Sequence, residues 1–306
     1  MEQFSLGIAW NWEYDADFVA GIERACARRS LTTFRVEPSN IQETLSRLRM
    51  GELGFRTFLD RASGEDEVFE PLPRILAKSS TRIFNQYEHV DHAKDKATMH
   101  LEFITNGLQV PYTIIVSPYS KKKEIELSLS ELAKLGSFFI IKPANTTGGG
   151  IGVVRGAESL KDVIETRQHH KNDKYLLQEK VSPASLAERR AWFRVFYAFG
   201  QIIPCWWDDL THIYEELTPA EEEGFGLQPL RSVTESIKQI CDLEFFSTEI
   251  ALTSGNTFVV VDYVNEMCDM RLKSLHVDGV PDSIVRSIAS SLAGFLANQE
   301  TEPSRK

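Results

Sequence analysis

The sequence predicts an α/β fold: an N-terminal domain on a parallel sheet, then an α+β region of two subdomains. Residues 1–90 alternate short apolar runs with stretches of helical periodicity. That β-α-β-α rhythm belongs to a parallel, doubly wound sheet. Beyond residue 95 the pattern changes to strands, several joined in hairpins, with separate helices between them. At about 150 residues per domain, the 306 residues make one large domain or two ordinary ones. We divide the chain at 1–90, 91–180 and 181–306.

SLGIAW is the first expected strand. Phe18, Val19, Ile22 and Ala25 then recur at helical spacing over residues 15–27, with Asp15 as the expected N-cap. TTFRVEP is the next strand, Pro38-Ser39-Asn40 opens a helix through Leu48, and TRIFN is a further strand. No G-x-G-x-x-G follows the first strand, which argues against a dinucleotide site there. A helix from Lys96 to about Thr105 stops at Asn106-Gly107. VPYTIIV is a strand, SKKKEIELSLSELAKLG carries a helix, and FFIIKP is another strand. A glycine-rich turn, a helix over residues 159–167 and the strand KYLLQEKV follow. WFRVFYAFGQIIPCWW reads as a hairpin turning at Phe199-Gly200. Residues 249–252 and 258–264 form a second hairpin around Ser254-Gly255-Asn256, and residues 281–298 an amphipathic helix.

Composition excludes several classes. The chain is 42% hydrophobic and 25% charged, the balance of a globular protein rather than a disordered one. Its net charge of −10 lacks the clustered positive charge of a nucleic-acid binder, although a local basic pocket for phosphate is compatible with it. Cys26, Cys205, Cys241 and Cys268 lie far apart with no Cys-x-x-Cys, which points to reduced thiols rather than zinc or disulfides. The N-terminus lacks the basic-then-apolar order of a signal peptide. No stretch reaches the about 18 apolar residues of a membrane span. The expected location is cytoplasmic.

Two segments carry chemistry. In FFIIKPANTTGGGIGVV, a buried strand delivers Lys142 to a loop with Thr146, Thr147, Gly148, Gly149 and Gly150. Glycines let backbone N–H groups approach phosphate oxygens, and a lysine adds a point charge for them. The lysine precedes the glycines and a strand follows them, so this is not a P-loop. In STEIALTSGNTFVVVDYVNEMCDMR, Glu249 and Asp262 occupy neighbouring strands, with Asn265 and Glu266 close behind. An acid ending a buried run of valines requires a partner or a metal. Oxygen-only donors suit Mg2+. If Mg2+ is that partner, the free protein holds Asp262 as an uncompensated acid near Glu249; paired to an arginine or capping a turn, Asp262 would instead be structural.

In this order the pieces resemble the ATP-grasp superfamily over about residues 85–271, preceded by a pre-ATP-grasp-like domain. The family carries a helical lysine before G-x-x-x-P-x-T; here Lys96 precedes Gly107, Pro111 and Thr113. Its second lysine, before a glycine-rich loop, corresponds to Lys142. Its adenine-reading strand corresponds to Gln178, Glu179, Lys180 and Val181, and its later arginine to Arg194. Its metal-binding acids and asparagine correspond to Glu249, Asp262 and Asn265. Three departures stand out. Two residues separate Asp262 from Asn265 where the family has one, so a bulge must restore their common face or Glu266 or Asp269 must substitute. Glu249 stands where Asp is common, and Trp192 where many relatives have an acid two residues before the arginine, which leaves ribose to Glu188 or another residue.

The resemblance implies an ADP-forming ligase that uses ATP and Mg2+, with Mn2+ as a substitute, to join a carboxylate to an amine through an acyl phosphate. Lys96 and Lys142 would hold the α- and β-phosphates, and Thr147, Gly148, Gly149 and Gly150 would cover the γ-phosphate. Arg194 and Arg271 would stabilise the transferring phosphoryl group or clamp the substrate carboxylate. The implied partners are small carboxylates and amines, with no nucleic acid or membrane and a homodimer as one option. A small-molecule kinase and a non-catalytic ATP-binding module are the alternatives. Lys121, Lys122 and Lys123 read as a solvated face, and His89 and His92 as surface or cap residues. Trp206, Trp207 and Asp208 fit a pocket lining or the core equally, and Cys268 is not expected to be a nucleophile.

Overall fold

The protein is described by a computed structural model covering residues 1–64, 66–145 and 152–301, without the side chains of residues 300 and 301. Strands β1 (Glu2–Trp10), β2 (Thr33–Val36), β3 (Leu53–Arg61) and β4 (Arg82–Phe84) form a parallel sheet in the order β2-β1-β3-β4. Their connections carry α1 (Ala16–Ala27), α2 (Ile41–Arg49) and α3 (Pro71–Leu76). Alternation along β1 sends Leu6 and Ile8 to a core shared with Phe18, Val19 and Ile22 of α1. Ala9 joins the opposite core with Ile41 and Leu45 of α2 and Leu72 of α3. Helices therefore cover both faces, as a parallel sheet requires. Gly7 is demanded by packing: a Cβ there would lie 2.8 Å from the Phe55 ring.

One expected cap is corrected. Asp15 makes no capping bond. It is buried and accepts from Arg61 Nε at 2.8 Å and Nη2 at 2.7 Å, while Arg61 Nη2 also donates to the Cys268 carbonyl at 2.9 Å. A long-range ion pair has taken the carboxylate that the helix N-terminus would otherwise use.

Helices α4 (Tyr87–Lys94) and α5 (Lys96–Thr105) lead to the second region. Asp95 caps α5 through the N–H groups of Ala97 and Thr98. An antiparallel sheet of order β5-β8-β6-β7 follows. Its elements are β5 (Thr113–Val116), α6 (Leu129–Leu135), β6 (Phe139–Pro143), β7 (Val154–Ala157), α7 (Leu160–Thr166) and β8 (Tyr175–Gln178). The helix expected in SKKKEIELSLSELAKLG is only α6, because the Ser128–Glu131 capping box starts it late. Strand β8 ends at Gln178, so Glu179, Lys180 and Val181 lie beyond it.

A short hairpin, β9 (Ser185–Leu186) and β10 (Arg189–Arg190), precedes the larger antiparallel sheet. That sheet has the order β13-β12-β11-β14-β15. It contains β11 (Trp192–Ala198), β12 (Gln201–Trp207), β13 (Tyr214–Glu216), β14 (Phe245–Leu252) and β15 (Phe258–Asn265), with α8 (Pro219–Gly224) and α9 (Pro229–Cys241) inserted after β13. The β11–β12 turn falls at Phe199 and Gly200, with φ of 52° and 90°, the positive values a two-residue hairpin turn requires. One face of this sheet packs on α5 and α9 through Phe193, Val195, Phe246 and Ile250. The other joins α1 and the C-terminal helix α10 (Asp282–Thr301) through Trp192, Phe196 and Phe245. The two ends of the chain thus share one core.

Candidate active site

Across the larger sheet, Arg194 of β11 pairs with Glu249 of β14, and Glu249 pairs with Asp262 of β15. Directly opposed residues share a face. Asn265 pairs with Ser247, two residues before Glu249 on the same strand, so it shares that face too. Simple alternation would have turned Asn265 away from Asp262. The register of β15 slips by one residue twice, once on each side of Asp262. The second slip is the bulge that the three-residue spacing calls for.

Two lysines reach this row from the smaller sheet's side. Lys96 opens α5, donates its backbone N–H to the Ala144 carbonyl at 3.1 Å, and places Nζ 3.6 Å from Asp262 Oδ1. Lys142 of β6 is buried. Its Nζ donates to the Val261 carbonyl at 3.1 Å and lies 5.1 Å from the centre of the Tyr263 ring. Burial pushes Lys142 down to about 8, against the pull of Asp262 and with the help of Lys96. Burial would raise Asp262, but Lys96, Lys142 and Arg194 outweigh it and hold the carboxyl at about 2. The uncompensated Asp262 expected from sequence is therefore corrected: cations from three other strands or helices face it.

Glu249 is held by two donors. Arg194 Nη2 donates to Oε1, and Trp192 Nε1 donates to Oε2 at 3.2 Å. Burial raises Glu249 above the usual carboxylate range, with Arg194 opposing and Asp262 reinforcing the shift. Trp207 stacks on the Arg194 guanidinium at 4.7 Å and on His212 at 5.3 Å. Trp206 packs instead on Phe193 and Arg189, and Asp208 accepts from the N–H groups of Leu210 and Thr211.

Gln178 is buried and donates through Nε2 to Tyr263 Oη and Thr113 Oγ1, each at 3.1 Å. Tyr263 Oη shares a 2.6 Å hydrogen bond with His100 Nδ1. Burial, then Lys142, pushes His100 down to about 4, so it is neutral at pH 7. This network ties the end of β8 to the strand carrying Asp262, and sequence patterning did not find it. Glu179 donates its N–H to the Tyr112 carbonyl at 2.9 Å and accepts from the Tyr112 N–H at 2.7 Å. Lys180 and Val181 follow directly.

Arg271 lies apart from this cluster in its hydrogen bonding. Among the described residues its guanidinium partners are Asp269, with Nε to Oδ2 at 2.8 Å, and Asp278, with Nη2 to Oδ2 at 2.9 Å. Both belong to its own loop. Thr147, Gly148, Gly149 and Gly150 lie outside the described residues.

No group of three or more His, Cys, Asp or Glu forms a metal cage among the described residues. Two opposed carboxylates and an amide on one face are hard oxygen donors. That set fits Mg2+, which commonly takes one or two protein carboxylates and completes its shell with water and phosphate.

The cluster thus joins two antiparallel sheets, a helix that opens on a buried lysine, and an acid pair on neighbouring strands. Solved structures make the class specific: the chain has the ATP-grasp fold. A RimK-domain ATP-grasp protein from Sphaerobacter thermophilus superposes with a TM-score of 0.61 at 18% identity, covering 95% of this chain and 98% of that one. The D-alanine–D-alanine ligase of Bacillus anthracis complexed with ATP gives 0.60 at 13% identity, covering 98% and 100%. The ATP-grasp ligase PsnB, complexed with a minimal precursor, Mg and ADP, gives 0.60 at 12% identity, covering 97% and 99%. No protein-family model and no curated protein sequence matches the chain. No described helix is long and apolar enough to cross a membrane.

Proposed function

We propose that the protein is an ADP-forming ligase that uses ATP and Mg2+ to join a carboxylate to an amine through an acyl phosphate. The observation that carries this is the charge of the row. Among the described residues, Lys96, Lys142 and Arg194 converge on two carboxylates, Glu249 and Asp262. A chain of net charge −10 thereby keeps one net positive charge along this row, where a polyphosphate is the natural counter-ion.

In this reading Lys96 and Lys142 hold the α- and β-phosphates. The segment Gln178, Glu179, Lys180 and Val181 frames adenine, and Thr147, Gly148, Gly149 and Gly150 add backbone contacts to the phosphates. Glu249, Asp262 and Asn265 hold Mg2+, which when bound neutralises charge on the β- and γ-phosphates. Arg194 meets the transferring phosphoryl group or the substrate carboxylate. Arg271 serves the substrate side from its loop. The work is positioning and charge neutralisation. Ligases with this fold, one of them solved with Mg and ADP, support the assignment.

The test is ADP release from ATP and Mg2+ with pools of amino acids and short peptides. Orthophosphate released together with an amide product is expected. Phosphate retained on the product would make the protein a kinase. ATP binding without turnover on any carboxylate–amine pair would leave only a binding module.

A further inference from the structure

Glu249 has two oxygens, and the structure treats them differently. Oε1 receives the head of a long, flexible side chain, Arg194. Oε2 receives the indole N–H of Trp192 at 3.2 Å. Trp192 is 6% exposed and packs in the core that contains Phe196, Ala251 and Val261. Its backbone is fixed opposite Ala251, two residues along the strand pair from Arg194 and Glu249 and so on their face. Moving the indole would disrupt a packed core. Swinging the Arg194 head costs rotamer changes, its bond to Glu249 and its stacking on Trp207, but leaves the packed core in place. Of the two oxygens, then, Oε1 is the one that can be handed over.

We propose that Trp192 is a positioning residue: its indole N–H pins Oε2 of Glu249 and leaves Oε1 as the oxygen a divalent cation takes over from Arg194. The inference rests on the metal-site reading above. It explains why an aromatic donor suits this position. An acid two residues before Arg194 would set a second negative charge beside a carboxylate whose side chain is already buried to all but 11%. An indole supplies a hydrogen bond and no charge, and a buried carboxylate oxygen without a donor is costly. Outer-shell partners of metal-binding carboxylates typically contribute about 10–100-fold in metal affinity.

The experiment measures Mn2+ binding by electron paramagnetic resonance on the full chain, with a non-hydrolysable ATP analogue present. Trp192→Phe keeps a buried ring and removes the donor. It should weaken Mn2+ binding by about 10–100-fold and leave the metal-free affinity for the analogue unchanged. Wild-type Mn2+ affinity in the folded variant overturns the role of Trp192 and leaves the metal site standing. Absence of Mn2+ binding by the wild type overturns the metal reading and the proposal together. A second measurement covers a variant that does not fold. In the 15N-labelled wild type, the Trp192 indole N–H should stay protected from exchange, and its resonance should shift when Mg2+ joins the analogue. Exchange as fast as that of an exposed indole, or no shift, overturns the proposal.

Discussion

The two long hairpins of the larger sheet differ in one respect. Strands β11 and β12 pair without interruption from Phe193 opposite Trp206 to Ala198 opposite Gln201. Strands β14 and β15 pair with two slips in register. Uninterrupted alternation lets β11 fill one core with Phe193 and Val195 and another with Trp192 and Phe196. In the slipped hairpin, Val261 falls between the pairs Glu249–Asp262 and Ile250–Val260, and its carbonyl accepts from Lys142. The slips put Asp262 and Asn265 on the face of Glu249. Regular pairing here serves packing, and interrupted pairing serves chemistry, the usual division between smooth and bulged strands.

The strongest way to break that comparison is Asp262→Asn. Turnover of ATP to ADP should fall by about a hundredfold or more, as when a preorganised charge contact at a reacting centre is lost. The variant should also melt at a lower temperature near pH 7, because Lys96 and Lys142 lose the charge they face. Full ADP release from a less stable Asp262→Asn protein would make Asp262 structural and remove it from the site.

Lys142→Met comes next. ATP affinity should drop by roughly tenfold to a hundredfold, the worth of a charge-assisted contact. The free protein should become more stable, since burial lowers Lys142 from 10.5 to about 8. Between those pH values the unfolded chain binds a proton that the folded one does not, so wild-type stability rises with pH across that window. The Met variant should lack that rise. Calorimetric melts at pH 7 and 10 read both effects, and parallel pH dependence in the two proteins would contradict the buried, displaced lysine.

Gly200→Ala tests the regular hairpin. Gly200 has φ of 90°, and a Cβ there meets nothing within 4 Å. Only backbone strain is added, roughly 1–2 kcal/mol. The melting temperature should fall while the Mg-ATP affinity stays at the wild-type value. A change in that affinity would mean that the two hairpins are coupled.

The smallest effect is an acid limb. Asp262 is held at about 2 against an ordinary 3.8. Its ionised form therefore adds stability above about pH 4 that is lost as pH falls toward 2. Wild type and Asp262→Asn should converge in stability over that interval, and a constant difference between them would rule out the depressed carboxyl.

Much of the fold was legible because it is local. Helix α5 ran from Lys96 to Thr105 as periodicity and the Asn106-Gly107 stop indicated. The β11–β12 hairpin turned at Phe199-Gly200 as its sequence requires. Strand β3 was missed although it pairs along the whole of β1. Arg56, Asp60 and Arg61 break its apolar pattern, and Arg61 is buried only because Asp15, distant in sequence, pairs with it. Strand β13 and helices α8 and α9, between the two hairpins, also went unread. Within the candidate site, the identities of Lys96, Lys142, Arg194, Glu249, Asp262 and Asn265 could be picked out along the chain. Their mutual distances could not.

The sequence by itself determined which residue types were available and in what order: two lysines, an arginine, two acids and an amide on separate short elements. Tertiary structure alone decided what each one faces. Whether Asn265 shares a face with Asp262 depends on a bulge, and a bulge is set by the partner strand, not by the strand that contains it. Whether Asp262 is uncompensated depends on Lys96 and Lys142, which arrive from another sheet and another helix. Whether Trp192 is merely core or a donor to Glu249 depends on one cross-strand offset. Charge and hydrogen-bond interactions act over a few ångströms of space and carry no imprint in sequence separation, so only the assembled sheets could reveal them.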